Sequence, residues 1–139
     1  MVVTSNMPRL ALKRAFQNII IEDLGLLLNE EQHKAGVSES VVCWLTGMEE
    51  SFEPVRGGNA FKAELIINFQ VFSQLNETGV HKAICDLINI DPTNQRLQET
   101  GIQIADISPV SSETLYEDDS SDGMVVGTLA LKITYLARF

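Results

Sequence analysis

Hydrophobic residues recur along the chain with two periods, and each period predicts a kind of element. After Pro8, a residue suited to the first turn of a helix, Leu12, Phe16, Ile19 and Ile20 follow at helical spacing as one apolar stripe. Pro8 to Leu28 therefore reads as a helix whose last part is weakened by Gly25, with Asn29 to Gly36 as an exposed connection. A second helix fits Thr78 to Asn89, where Val80, Ile84, Leu87 and Ile88 repeat the spacing and Asp91-Pro92 supplies the stop. Ser40 to Gly47 is rich in β-formers, and Asn59 to Ser73 alternates Phe61, Ala63, Leu65, Ile67, Phe69 and Val71 with polar neighbours. Two strands joined by a polar connection, Glu49 to Asn59, predict a long antiparallel hairpin.

Beyond the second helix the pattern predicts a strand over Gly101 to Val110. It shifts phase at Ile107, and Pro109 belongs on an edge or at a bulge. Thr114 to Glu117 and Met124 to Phe139 flank the turn-forming run Asp118 to Gly123 and predict a second hairpin. The order α, β, β, α, β, β, β implies an α+β fold: a mainly antiparallel sheet with two long hairpins, helices packed on one face. At 139 residues the expectation is a single domain over 1–139.

Charge changes the picture of partners more than the picture of the fold. Ten Lys and Arg against nineteen Asp and Glu leave a net charge of −9, the wrong sign for general attraction to phosphates or anionic membranes. No apolar run approaches the roughly 18 residues that span a bilayer, and Met1 to Met7 lacks the charged start and apolar centre of a signal peptide. A soluble, intracellular protein without membrane contact is expected. Cys43 and Cys85 stand in apolar contexts with no CxxC spacing, which favours reduced core thiols over a disulfide.

Candidate chemistry is sparse. Asp118, Ser120, Asp122 and Gly123 imitate the start of a calcium loop, but its twelfth position is Leu129 where a bidentate carboxylate is needed. His81 and Cys85 share a helix face at i, i+4, yet no second compact pair completes a zinc site. Neither a nucleophile elbow, a phosphate loop, a dinucleotide fingerprint nor a zinc-protease motif occurs, so no catalytic residue, metal ligand or cofactor is expected. Three charged groups remain as candidate surfaces. Arg9, Lys13 and Arg14 crowd the start of the first helix, where the macrodipole prefers acids, and Arg9 and Lys13 lie one turn apart, able to meet an acidic partner together. Glu49, Glu50 and Arg56 lie in the connection of the long hairpin, and Glu117, Asp118, Asp119 and Asp122 make an acidic tip with no Lys or Arg between Gln98 and Leu131.

The order of three phrases carries a resemblance. Val41-Val42-Cys43-Trp44-Leu45-Thr46-Gly47-Met48-Glu49 leads into an acidic stretch, Phe61-Lys62-Ala63-Glu64-Leu65-Ile66-Ile67 makes the long strand, and Ser121-Asp122-Gly123 precedes Leu129-Ala130-Leu131-Lys132-Ile133-Thr134-Tyr135. This succession resembles the tail terminator proteins of long-tailed bacteriophages, of the lambda minor tail protein U type. It covers Arg9 to Tyr135 in outline, is close around Val41 to Phe72 and Glu117 to Tyr135, and departs over Asn89 to Thr114. The resemblance implies a structural protein and not an enzyme. Its subunits would form a hexameric ring on the finished tail tube, touching the major tail tube protein on one side and the head connector or neck protein on the other. Genomic DNA would pass through the hole without sequence-specific binding, past a lining to which the acidic tip contributes by repulsion. The implied location is the virion tail, and the host cytoplasm during assembly. The competing readings are another head-to-tail completion protein, or a small stand-alone enzyme or ligand-binding domain.

Overall fold

Alternation in the central strands sets the architecture. The computed structural model describes residues 7–28, 41–55, 60–74, 76–116 and 124–137. Four long strands, β2 (Val42–Pro54), β3 (Phe61–Ser73), β4 (Gln103–Tyr116) and β5 (Val125–Ala137), join a two-residue strand β1 (Leu27–Leu28) in one sheet of order β1-β2-β3-β5-β4. All contacts between the long strands are antiparallel, and β1 pairs parallel with Val42 and Cys43 of β2. This is the α+β fold that the periodicity implies.

In β3 the residues Ala63, Leu65, Ile67, Phe69 and Val71 are buried, and so are their partners Leu129, Leu131, Ile133, Tyr135 and Ala137 or the residues beside them on β5. Against this face pack α1 (Pro8–Asn18), through Leu12, Ala15 and Phe16, and α2 (Glu77–Ile88), through Val80, Ala83, Ile84 and Leu87. Phe16 meets Phe69 with ring centroids 5.9 Å apart. Gly127 on β5 lets α2 come close, because a Cβ there would lie 3.3 Å from side-chain atoms of both Ile84 and Val80. Asn76 caps α2 by accepting a hydrogen bond from the Gly79 amide at 2.8 Å, a local fit that favours the helix start.

Several elements differ from the sequence expectation. The first helix ends at Asn18, continues as one π-helical turn over Ile19–Asp23, and stops where Gly25 takes φ +66°, so Leu27 and Leu28 form β1 instead of a last helical turn. The first long strand runs on through Glu49 and Glu50 to Pro54, with a bulge at Thr46, so these residues are in the sheet rather than in a connection. Gly101 to Glu117, read as two strand pieces, contains one strand, β4, interrupted by bulges at Ala105 and Val110 on either side of Pro109. A short helix α3 (Gln95–Gln98), not anticipated, is capped by Asn94, whose side chain accepts from the Arg96 and Leu97 amides. Both cysteines are free thiols, but only Cys43 is buried and Cys85 is exposed, because it projects from α2 away from the sheet-facing residues Ile84 and Leu87.

The second face of the sheet has no helix against it among the described residues. Direct pairing places Glu49, Ser51 and Glu53 of β2, Lys62, Glu64, Ile66, Asn68 and Gln70 of β3, Thr128, Ala130, Lys132 and Thr134 of β5, and Asp106, Ser108, Ser111 and Glu113 of β4 together on it. Five carboxylates against two lysines make it acidic. Only at the end away from the Pro54/Phe61 turn is it apolar, where Val42, Phe72 and Val126 pack with Trp44 and Met124.

Candidate functional site

The residues singled out as contacts divide between the two faces. Glu50, paired with the core residue Leu65, points to the helix side and its side chain is 4% exposed, whereas the neighbouring Glu49 pairs with Ile66 and lies exposed on the acidic face. A carboxylate withdrawn from water requires compensation. Two groups supply it: Tyr135 on β5 donates its hydroxyl to Glu50 Oε2, and the Arg9 guanidinium at the start of α1 stands 3.7 Å from Glu50 Oε1. Burial, followed by the bond to Glu50, holds the Tyr135 phenol well above its ordinary range.

This cluster explains part of the unfavourable charge at the start of α1. Arg9 finds its acid within the chain, on β2, and so fastens the first turn of the helix to the long hairpin. Glu50 and Arg9, both candidate contacts, thus meet each other within the chain. Glu50 is an internal anchor, while Arg9 keeps 64% of its side chain exposed. Lys13 is half-buried one turn further along α1, and Arg14 is exposed. Arg56, Glu117, Asp118, Asp119 and Asp122 lie outside the described residues.

Tyr135 is not among the candidate residues that the sequence singles out. Its signal was present, because the alternation through Ile133 puts Tyr135 on the buried face, and a buried phenol seeks a partner for its hydroxyl.

Large apolar side chains remain exposed on both flanks of the sheet. Met48, Phe52 and Val55 lie on or beside β2, and Val110, Leu115 and Tyr116 on β4. Phe52 and Phe61 stack edge to face, with centroids 6.1 Å apart, near the turn of the long hairpin. Tyr116 donates to Glu77 of α2 at 2.9 Å, which fastens the end of β4 to the helix layer. Near the hairpin turn a groove of about 410 Å³ runs between Val55, Lys62, Gln103, Ala105, Thr134 and Leu136. Ile104 and Tyr135 also line it, and Lys62 is its one cation among the described residues, so the surface is otherwise aliphatic, aromatic, amide and hydroxyl in character.

A smaller polar cavity of about 260 Å³ lies beside Asp23, Gln95, Arg96 and Glu99. There Arg96 donates from Nε and Nη2 to the two Asp23 oxygens at 3.0 and 3.2 Å, tying α3 to the π-helical turn. Among the described residues no group of three His, Cys, Asp or Glu side chains is gathered as a metal ion requires. His81 stands 3.5 Å from Glu77, its neighbour one turn back on α2. Among the described residues no helix is long and apolar enough to cross a membrane. No protein-family model matches the chain, and no curated protein matches it.

Proposed function

We propose that the chain is a structural subunit of a phage or prophage tail, of the tail terminator type, which closes into a hexameric ring on the end of the tail tube. The ring stops tube growth and offers its other side to the head connector or neck protein. The single observation that carries this reading, beside the sequence resemblance, is the two-sided character of the sheet. Its helix-covered side holds the core, and its other side is polar and acidic, with Glu49, Glu53, Glu64, Asp106 and Glu113 against Lys62 and Lys132. An acidic surface of this kind suits a passage for DNA, because it repels phosphates and gives the strand nothing to hold.

The flanks support self-association. Monomeric proteins seldom leave large apolar side chains on long edge strands unless something covers them. A head-to-tail contact between unlike flanks generates a closed ring when its rotation closes.

Native mass spectrometry over a concentration and salt series, followed by addition of purified tail tubes, tests the proposal. A closed hexamer, alone or on tube ends whose growth it stops, is the expected result. A chain that stays monomeric at every concentration and leaves tube growth unchanged overturns it.

A further inference from the structure

We infer that the outer edge of β4 on one copy pairs antiparallel with the outer edge of β2 on the next, so that the sheet continues from subunit to subunit. The inference rests on the ring reading above and names the surfaces that make the joint. β1 covers only Val42 and Cys43, so along Trp44 to Pro54 no strand lies outside β2 among the described residues, and none lies outside β4 from Gln103 to Tyr116. Such edges present rows of backbone donors and acceptors ready for another strand.

Direction is the first reason the two edges fit each other. The long strands follow the order β2, β3, β5, β4 with every neighbour antiparallel, so β2 and β4 run in opposite directions. A second copy placed by rotation about an axis near the strand direction then brings its β2 antiparallel to β4, with both helix layers on the same side. The even number of long strands makes this work, since an odd number would give a parallel joint. Length is the second reason. Residues 44–54 beside β4 allow about ten backbone hydrogen bonds, roughly one per residue, which matches the usual complement of a stable interface of about ten.

Charge placement is the third. With the two copies at equal height, the registers within the sheet set Gln103 beside Glu53, Asp106 beside Ser51, Ser108 beside Glu49, and Glu113 beside Trp44. Every carboxylate faces an uncharged residue. Displacement by one pleat repeat brings Asp106 opposite Glu49, a like-charge pair that disfavours the wrong register. Pro109 and the bulges at Ala105 and Val110 further restrict which registers can pair. Exposed Met48 on β2 and Val110 on β4 lose water in the joint.

Disulfide trapping tests the joint in the full chain, with Cys85→Ser removing the exposed thiol. Ser51→Cys and Asp106→Cys are placed together in one chain and, as controls, in separate chains, with circular dichroism to confirm folding. On oxidation the double variant should give a ladder of covalent oligomers ending at one closed size, and a mixture of the two single variants should give only heterodimers. Homodimers from a single variant, or absence of crosslinks in the double variant at every protein concentration, overturn the edge joint. Native rings without crosslinks leave the ring reading standing and remove this joint. Crosslinked ladders that never arrest tube growth keep the joint and remove the tail reading.

Discussion

Tyr135 and Glu50 are bound to each other across the sheet, phenol to carboxylate, with β3 running between the strands that carry them. Glu50 is thereby held on the core side, and Arg9 reaches down from α1 to the same carboxylate. Removing the phenol oxygen with Tyr135→Phe leaves a nearly buried carboxylate short of a donor, a loss of about 1–3 kcal/mol. Urea unfolding should show a lower midpoint at unchanged slope. Arg9→Ala should cost less, under about 1 kcal/mol, because water reaches most of the Arg9 side chain and screens the pair. An Arg9 variant more damaging than the Tyr135 variant would contradict this ranking.

The same phenol predicts an alkaline instability. Its folded-state pKa is raised above the ordinary value of 10.0, by burial first and then by the bond to Glu50. Above about pH 10 the unfolded chain releases the proton while the folded chain keeps it. The unfolded state then binds fewer protons, so stability is full below pH 10 and falls as pH rises from there. Cys43, buried and pushed up from 9.0 to about 12, adds a loss of the same sign between those values. Unfolding curves at pH 8, 10 and 11 should show the decline, and Tyr135→Phe should flatten its Tyr135 component. A decline of equal steepness in that variant would assign it elsewhere.

Gly127 lies where α2 packs closely on β5. A Cβ there meets Ile84 and Val80 at 3.3 Å, a contact that a small displacement of the helix relieves. Gly127→Ala should therefore be nearly tolerated, whereas the branched side chain of Gly127→Val pushes α2 off the sheet at about 1–3 kcal/mol. Thermal denaturation of the two variants separates these effects, and equal melting points would show that the close approach has no energetic consequence.

The two thiols should differ in reactivity. Cys85 is exposed on α2, while Cys43 is buried with a thiol held protonated. One equivalent of iodoacetamide should react readily with the folded chain at pH 8, at Cys85, and the second only in denaturant. Peptide mapping by mass spectrometry identifies the site. Rapid labelling of Cys43 in native buffer would place it nearer water than its position on β2 implies.

Strand periodicity was the readable part of this chain. The alternation from Phe61 to Val71 and from Leu129 to Tyr135 announced which face is buried, and the apolar spacing of Val80, Ile84 and Leu87 announced α2. What stayed hidden is tertiary in origin. Glu49 to Pro54 looks like a polar connection because one face of that strand is acidic and uncovered, and only pairing with β3 fixes it as sheet. Leu27 and Leu28 suit a helix by composition, but the break at Gly25 frees them to pair with β2. The Arg9–Glu50–Tyr135 cluster joins residues scattered along the whole chain, so local spacing carried only the hint of a buried phenol.

On the ring proposed above, the acidic run from Glu117 to Asp122 acts by repulsion. Glu117, Asp118, Asp119 and Asp122 put four carboxylates within six residues, and the sequence places no Lys or Arg between Gln98 and Leu131 to neutralise them. Exposed turns commonly carry Asp and Ser for their turn geometry alone, so charge and turn preference must be separated. Replacing Asp118, Asp119 and Asp122 together by Asn keeps size and turn preference and removes three charges. Ring assembly should survive in this variant. Retention of double-stranded DNA by the assembled rings should rise, most at about 10 mM salt where the Debye length is about 30 Å, and least near 150 mM where it is about 8 Å. Filter retention of labelled DNA across that range measures the effect. Unchanged retention at every ionic strength would leave these carboxylates a solubilising role only, and unfolding on calcium removal would revive the metal loop that Leu129 argues against.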